Sequence, residues 1–410
     1  MFPETTIMTI PHSVLKERIT KVEKKLIQQG LKFLVVYSTG SGLGPASHTH
    51  GYLRYLLDWD SRYAASVLVL KVGSEPILLV PNPPSQLFAK ETMWFKDIRL
   101  VSQGKFGHET AAILRPLVSE NEKIGYIGRV ETPVPVYDAL SQCLTGVTWV
   151  QADHIIDELR MIKDSLAIAF HNRAAEICDA MFQTFTREVR SGKMAYQLQA
   201  DIEHTARYEG CEHASTFLAV GPVADRARRI RRECVRVPQP GDQILLAVFL
   251  MYEGHWGHAV RTGTIGQPSQ EQQRAFDIAF EMEEAALECM KPGVNLDEVW
   301  KASARALKGH YPNVKDLKSW YWFKTGHGMG LDYSEPVVSD VFRYPYQLDE
   351  GSTVEGASGP SIQIEPGMLF ELHPNVFIPN EATGAIGDMI LVTESGYDIL
   401  NKFPRELIIW

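Results

Sequence analysis

A histidine between two glycines, late in the chain, is a candidate for metal binding or proton transfer. His327 lies in the run Gly326-His-Gly-Met-Gly-Leu-Asp332. Because glycine has no side chain, another backbone segment can approach closely while the imidazole projects into a cleft. Such a ring can bind a metal ion or transfer a proton near neutral pH. A loop histidine satisfied by a neighbour fits the same pattern, so the interpretation depends on which residues meet His327.

Two more histidines lie on a predicted β-hairpin. The segment 241–263 is predicted to turn near Glu253-Gly254, and its second half carries His255 and His258. Side chains alternate between the two faces of a strand, so these histidines should point in opposite directions. Only one of them can therefore enter a given cleft.

Carboxylates accompany another histidine on two later predicted strands. The strand within 365–377 places Glu371 and His373 on one face, because they are two residues apart. The strand within 384–393 carries Asp388. Either carboxylate could orient an imidazole or act as a general base. Each could equally be an exposed carboxylate on a strand.

The composition excludes several classes of partner. The chain has 410 residues, of which 45% are hydrophobic and 22% are charged, and its formal net charge is −9. Nucleic acids and anionic membranes normally bind a basic surface, so we predict neither partner. The one basic run, Arg226–Arg232, is interpreted as an anion-facing or interface strand.

Cysteine usage and hydropathy favour a cytoplasmic protein. The five cysteines are far apart and form no C-x-x-C pair, which indicates a reducing compartment rather than a disulfide scaffold or a cysteine zinc site. No segment reaches the roughly 18 continuous apolar residues that a membrane span needs. The N-terminus also lacks a basic region followed by a long apolar one.

The order of predicted elements indicates two domains. Residues 1–155 alternate strands and helices and read as an α/β domain. Residues 156–410 combine long helices, one of them with Ser269 as its N-cap, with antiparallel strands. That mixture predicts an α+β domain.

The second domain carries a series of short motifs in a fixed order. They are Leu159-Arg-Met-Ile-Lys163, Pro240-Gly-Asp242, Arg261-Thr262, Gly326–Asp332, Glu365-Pro-Gly-Met368 and His373-Pro374. With these motifs the domain resembles the pita-bread fold shared by aminopeptidase P, prolidase, methionine aminopeptidase and creatinase, and the first domain resembles the creatinase/prolidase N-terminal domain. The resemblance implies an α+β pita-bread domain preceded by an α/β domain, and a homodimer.

The chain departs from this family at the metal ligands. The family's metallopeptidases hold two metal ions with two Asp, one His and two Glu. In this chain those positions carry, in order, Ala247, His258, His327, His373 and Gly387. Two ligands are therefore absent, and two have become histidine.

The three histidines predict a mononuclear centre. His258, His327 and His373 take the positions of one metal's ligands, and three imidazoles suit one divalent transition metal, with Fe or Zn favoured and Mn an alternative. Three histidines with an open coordination position are typical of catalytic zinc. The alternative is a metal-free site in which the histidines act as acid/base groups or fill space. Creatinase also lacks acidic residues at the two Asp positions, although it keeps both glutamates.

Four residues are candidates for substrate binding. Tyr333 and Glu335 follow His327 closely and could reach a substrate. Arg62 matches the part of creatinase that contacts a substrate carboxylate in the partner subunit, and His213 lies where the family sometimes places a substrate contact. The loop 337–361 is predicted to shape specificity as a wall or lid.

These observations predict a metal-dependent hydrolase of a small, carboxylate-bearing substrate with an amide, amidine or amino-acid-like C–N bond. Ordinary Xaa-Pro peptidase activity is disfavoured because the two-metal ligand set is incomplete. His327, Glu371 and Asp388 are the candidate catalytic residues. Two alternatives remain open. One is a non-haem Fe(II) oxygenase or lyase at the same site, and the other is a metal-free creatinase-like hydrolase or a pseudo-peptidase that only binds.

Overall fold

A computed structural model describes residues 10–224, 235–311, 325–333, 337–338, 362–378 and 380–410. The chain divides into two compact units, Met1–Arg160 and Met161–Trp410. The boundary expected between residues 155 and 156 lies inside a helix that runs from Asp153 to Met161. The basic run Arg226–Arg232 and all but two residues of the loop 337–361 lie outside the described residues.

The first unit is built on one mixed sheet, as its alternating pattern predicts. Its six strands have the order β4-β3-β2-β1-β5-β6. The central strand, Phe33–Ser38, is buried along its whole length, which explains its unbroken apolar sequence. In chain order the elements are α1 (His12–Gln28), β1 (Phe33–Ser38), α2 (His50–Leu57), β2 (Ser66–Lys71), β3 (Ile77–Val80), α3 (Pro83–Thr92), β4 (Ile98–Leu100), α4 (Phe106–Leu114), β5 (Lys123–Ile127), α5 (Val134–Cys143), β6 (Thr148–Gln151) and α6 (Asp153–Met161).

The second unit combines long helices with three antiparallel or mixed sheets. Their strand orders are β17-β9-β8-β7, β11-β10-β12-β15-β16 and β13-β14. The elements continue as α7 (Ser165–Glu188), α8 (Ala195–Tyr208), β7 (His213–Gly221), β8 (Gln243–Tyr252), β9 (His255–Thr264), α9 (Gln270–Leu287), α10 (Leu296–His310), β10 (Gly326–Gly328), β11 (Val337–Val338), β12 (Leu369–Leu372), β13 (Asn375–Ile378), β14 (Ala382–Ala385), β15 (Asp388–Val392), β16 (Tyr397–Ile399) and β17 (Ile408–Ile409). Among the described helices of either unit, none is both long enough and apolar enough to cross a membrane.

The β8–β9 hairpin turns where the sequence predicts. Glu253 and Gly254 both have positive φ, 48° and 76°, as a two-residue hairpin turn of type I′ requires. The register then pairs His258 with Phe249. His255 points the other way and packs against Phe170 of α7, with ring centroids 5.0 Å apart.

A buried arginine links β9 to β15. Arg261 is fully buried, and all five of its guanidinium N–H groups have acceptors. Nε donates to the carbonyl of Pro404, Nη1 donates to the carbonyls of Val260 and Gly387, and Nη2 donates to the Asp388 carboxylate at 2.6 Å and to the Phe403 carbonyl. The strand carrying His258 is therefore tied to the segment at Gly387.

Three carboxylates share two guanidiniums around this link. Arg405 donates to Asp388 at 3.0 Å, to Glu283 at 2.7 Å and to Glu284 at 2.6 Å. Because negative charge exceeds positive charge, one carboxyl is driven to keep a proton. Burial, together with the charge of Asp388, raises the pKa of Glu283 to about 8.

The substitution Asp388→Asn is expected to lower the free energy of unfolding by about 3–5 kcal/mol, since the fully buried guanidinium of Arg261 loses the carboxylate it is paired with, while Arg405 keeps Glu283 and Glu284. Urea unfolding measures this, with Asp398→Asn on β16 as the exposed control. Equal stability of the two variants would contradict the buried ion pair.

Glu283→Gln is expected to flatten the pH dependence of stability. Native Glu283 releases its proton at about pH 8, whereas an unfolded glutamate does so at about pH 4.3. Between these values the native state binds more protons, so stability falls as pH rises through the window and levels off above it. Urea midpoints from pH 5 to 9 measure the slope, and Glu284→Gln should retain it. Parallel curves for wild type and Glu283→Gln would contradict the assignment.

Candidate metal centre

Three histidines and one glutamate meet in the second unit. His258, His327, Glu371 and His373 each offer one ligand atom, and these four atoms lie within 4.8 Å of one another. All four residues are buried. The structure thus brings the three histidines and Glu371 of the sequence prediction together in one buried cluster.

Strand pairing brings the cluster together. β10 runs antiparallel to β12, and His327 lies directly opposite Glu371. A Cβ at Gly326 would approach the Glu371 carbonyl oxygen to 2.2 Å, so only glycine allows the two strands to come this close. Glu371 and His373 share one face of their segment, and His258 comes from β9 of the other sheet.

The Glu371 carboxylate lies at similar distances from all three rings. Its Oε2 is 3.3 Å from His258 Nδ1, 3.6 Å from His327 Nε2 and 3.1 Å from His373 Nε2. Two ligands that bind a tetrahedral zinc at 2.0–2.1 Å are about 3.3–3.4 Å apart. The distance from Oε2 to each of the three nitrogens is thus close to that between neighbouring ligands of one ion, so a donor set of three imidazoles and one carboxylate fits a single transition metal.

Two of the three rings, those of His327 and His373, are held from their outer sides. His327 Nδ1 donates to the Gly328 carbonyl at 2.9 Å, which in the neutral ring leaves a lone pair on Nε2, toward the cluster. The Asn375 amide lies 3.2 Å from His373 Nδ1. Such outer contacts fix the orientation of metal-binding imidazoles. His258 differs, because its Nδ1, the nitrogen 3.3 Å from Glu371 Oε2, is also 3.2 Å from the Tyr333 hydroxyl, and Phe249 stacks on its ring.

Ala247 and Gly387 stand at the two family ligand positions that have no ligand side chain in this chain. Ala247 belongs to a buried apolar cluster with Phe217, Val260 and Ala385. Gly387 exchanges both backbone hydrogen bonds with Val260. Neither residue brings a side-chain donor atom to the site.

Asp388, expected among the catalytic residues, lies outside the cluster. Both of its carboxylate oxygens accept hydrogen bonds from arginines, one from Arg261 and the other from Arg405. The physical reason is strand alternation, because Asp388 follows Gly387 directly and faces the opposite way.

The expected substrate contacts are dispersed. Tyr333 belongs to the cluster's rim, and Glu335 lies outside the described residues. His213 is half-buried at the start of β7, its ring 5.4 Å from that of Trp256 rather than among the other histidines. Arg62 is exposed on a loop of the first unit, with φ of 59° and its amide bound to Asp60.

Two residues beside the rings were missed from the sequence. Phe249 could have been found, since a turn at Glu253-Gly254 makes it the partner of His258. Asn375 lies two residues after His373, but an asparagine there carries no signal on its own.

Comparisons with known proteins agree with this fold. Residues 169–394 match the model of metallopeptidase family M24, and residues 18–162 match the creatinase/prolidase N-terminal domain. An Xaa-Pro dipeptidase of Pyrococcus furiosus is 26% identical over 259 residues, covering 62% of this chain and 67% of that protein.

Solved structures extend the likeness to nearly the whole chain. A prolidase from Thermococcus sibiricus has a TM-score of 0.78 at 24% identity, covering 98% of this chain and all (100%) of that one. An Xaa-Pro dipeptidase from Bacillus anthracis has a TM-score of 0.77 at 21% identity, covering 97% and 100%. These matches confirm the predicted fold class and the expected hydrolase type of enzyme. The chain belongs to metallopeptidase family M24 and carries a creatinase/prolidase N-terminal domain.

Proposed function

We propose that the protein is a metal-dependent hydrolase with one divalent transition-metal ion per chain. Its substrate is a small, carboxylate-bearing molecule with an amide, amidine or amino-acid-like C–N bond. The observation that carries the proposal is the buried cluster of His258, His327, Glu371 and His373, whose ligand atoms lie within 4.8 Å of one another.

The three imidazole ligands favour one borderline transition-metal ion, neither a hard cation such as Mg²⁺ nor a soft one. Three imidazoles favour Fe or Zn, with Mn as an alternative. Ala247 and Gly387 supply no ligand for a second ion. A divalent cation held by the histidines would polarise the scissile bond and acidify a water molecule.

The chain's own residues supply the proton transfer. Glu371 is the expected catalytic carboxylate that lies beside the three rings, and we propose that it accepts the proton of the attacking water. Tyr333 is half-buried at the rim, where its hydroxyl can donate to substrate. Arg62, acting across a homodimer, and His213 remain proposed substrate contacts on the family resemblance.

The ligand set separates this chain from its named relatives. The relatives in Pyrococcus furiosus and Bacillus anthracis are named Xaa-Pro dipeptidases. The resemblance implies a two-ion site in that family, and two of its five ligand positions are Ala247 and Gly387 here. We therefore propose C–N bond hydrolysis of a different, smaller substrate class.

A second candidate is an Fe(II)-dependent oxygenase or lyase. Two histidines and one carboxylate form the ligand set of many non-haem iron oxygenases, and the cluster contains that subset. A metal-free creatinase-like hydrolase or a binding-only pseudo-peptidase is the remaining alternative.

Elemental analysis of protein purified without a histidine tag tests the site. We expect about one transition-metal ion per chain, and near-complete loss in His327→Ala. His204→Ala, on the exposed face of α8, is the matched control and should retain the ion. Two ions per chain would contradict the mononuclear proposal, and none would favour the metal-free alternative.

Turnover with and without oxygen tests the reaction. N-acyl amino acids, amidino acids and Xaa-Pro dipeptides are incubated with the metal-loaded enzyme. We expect at least one of the first two classes to be hydrolysed at equal rates aerobically and anaerobically. Glu371→Gln should lower kcat about 10²- to 10⁴-fold. A reaction that consumes oxygen would favour the oxygenase, and hydrolysis of Xaa-Pro dipeptides alone would contradict the proposed substrate class.

A further inference from the structure

The Glu371 carboxylate occupies the place of a side chain that the chain lacks. A Cβ built on Gly387 would lie 2.3 Å from Glu371 Oε1, far inside the 3.0 Å that such contacts keep. A side chain at position 387 and Glu371 in its present rotamer are therefore mutually exclusive. Position 387 is where the family resemblance expects the last carboxylate ligand.

The backbone of Gly387 cannot easily retreat to make room. Its N–H and its carbonyl both bond to Val260, at 2.9 and 3.0 Å, and its carbonyl also accepts from Arg261 at 2.8 Å. The next residue, Asp388, pairs with Leu372 in the β12–β15 ladder. Gly387 is thus fixed between β9 and β12, and the space beside it belongs to the Glu371 carboxylate.

The two oxygens of Glu371 point to different surroundings. Oε1 lies toward Gly387, and Oε2 lies 3.1–3.6 Å from a nitrogen of each histidine. A fully buried carboxylate is costly to remove from water and is stabilised by a neighbouring cation. We infer that Glu371 is a fourth ligand of the proposed ion, replacing through β12 the carboxylate that is absent at position 387.

This inference rests on the proposed mononuclear site and sharpens it. Oε2 completes a set of three histidines and one glutamate. One carboxylate against one divalent cation leaves a net charge of +1 among neutral imidazoles. That charge favours an anionic substrate, in agreement with the carboxylate-bearing class.

Loading the metal-free protein with Co(II) tests the ligand directly. Calorimetry measures the dissociation constant, and the visible absorption spectrum reports the number and type of ligands. Glu371→Gln is expected to weaken Co(II) binding by more than about 100-fold, beyond the 10- to 100-fold typical of residues that only orient a ligand, and to change the spectrum. Glu365→Gln, an exposed glutamate just before β12, is the control and should alter neither.

A second pair of variants tests the shared space. Gly387→Ala should displace the Glu371 carboxylate and weaken Co(II) binding by about tenfold or more, a coupling expected of residues in contact. In a Glu371→Ala background the same substitution should weaken Co(II) binding much less, because only the contact with His373 Cβ at 2.7 Å then remains below 3.0 Å. Gly396→Ala, whose Cβ meets nothing within 4 Å, is the control.

The outcomes separate this inference from the proposed function. One Co(II) per wild-type chain, with affinity and spectrum unchanged in Glu371→Gln, would overturn the fourth ligand alone. An equal loss from Gly387→Ala in both backgrounds would also overturn it, because the effect would then pass through His373, whose Cβ lies 2.7 Å from the added methyl. No stoichiometric Co(II), or two per chain, would overturn the proposed function and this inference with it.

Discussion

The antiparallel register of β10 against β12 is the constraint on which the site depends. It sets His327 directly opposite Glu371, and the two-residue spacing then brings His373 to the same face. A slip of one residue would turn Glu371 and His373 away from His327 together. The close approach that fixes this register is made at Gly326, where a side chain would collide with the Glu371 carbonyl.

Two buried residues that are adjacent in the chain, Gly387 and Asp388, have different roles. Gly387 leaves room for the Glu371 carboxylate, and Asp388, on the opposite face, binds Arg261 and Arg405. The arginine network holds β9 against the segment before β15, so the strand that carries His258 stays in place. This network has three carboxyl groups (Asp388, Glu283 and Glu284) for two guanidinium groups, and none of them belongs to the histidine cluster.

The features of the fold that could be predicted from the sequence are those set by residues close together in the chain. The turn at Glu253-Gly254 and the helix cap at Ser269 follow from neighbouring residues, and both occur as predicted. The meeting of the three histidines came from family resemblance rather than from spacing. The partners of Asp388 could not be predicted, because Arg261 is 127 residues away and its pairing depends on how two sheets meet. The contact between Glu371 and Gly387 has the same long-range origin.

The central claim is a single ion held by His258, His327, His373 and Glu371. Anomalous X-ray diffraction from crystals of the metal-loaded protein, collected at the metal's absorption edge, tests it most directly. The account predicts one peak per chain, within bonding distance of all three histidines and Glu371. A second peak beside Ala247 and Gly387, or a single peak away from the histidines, would contradict it.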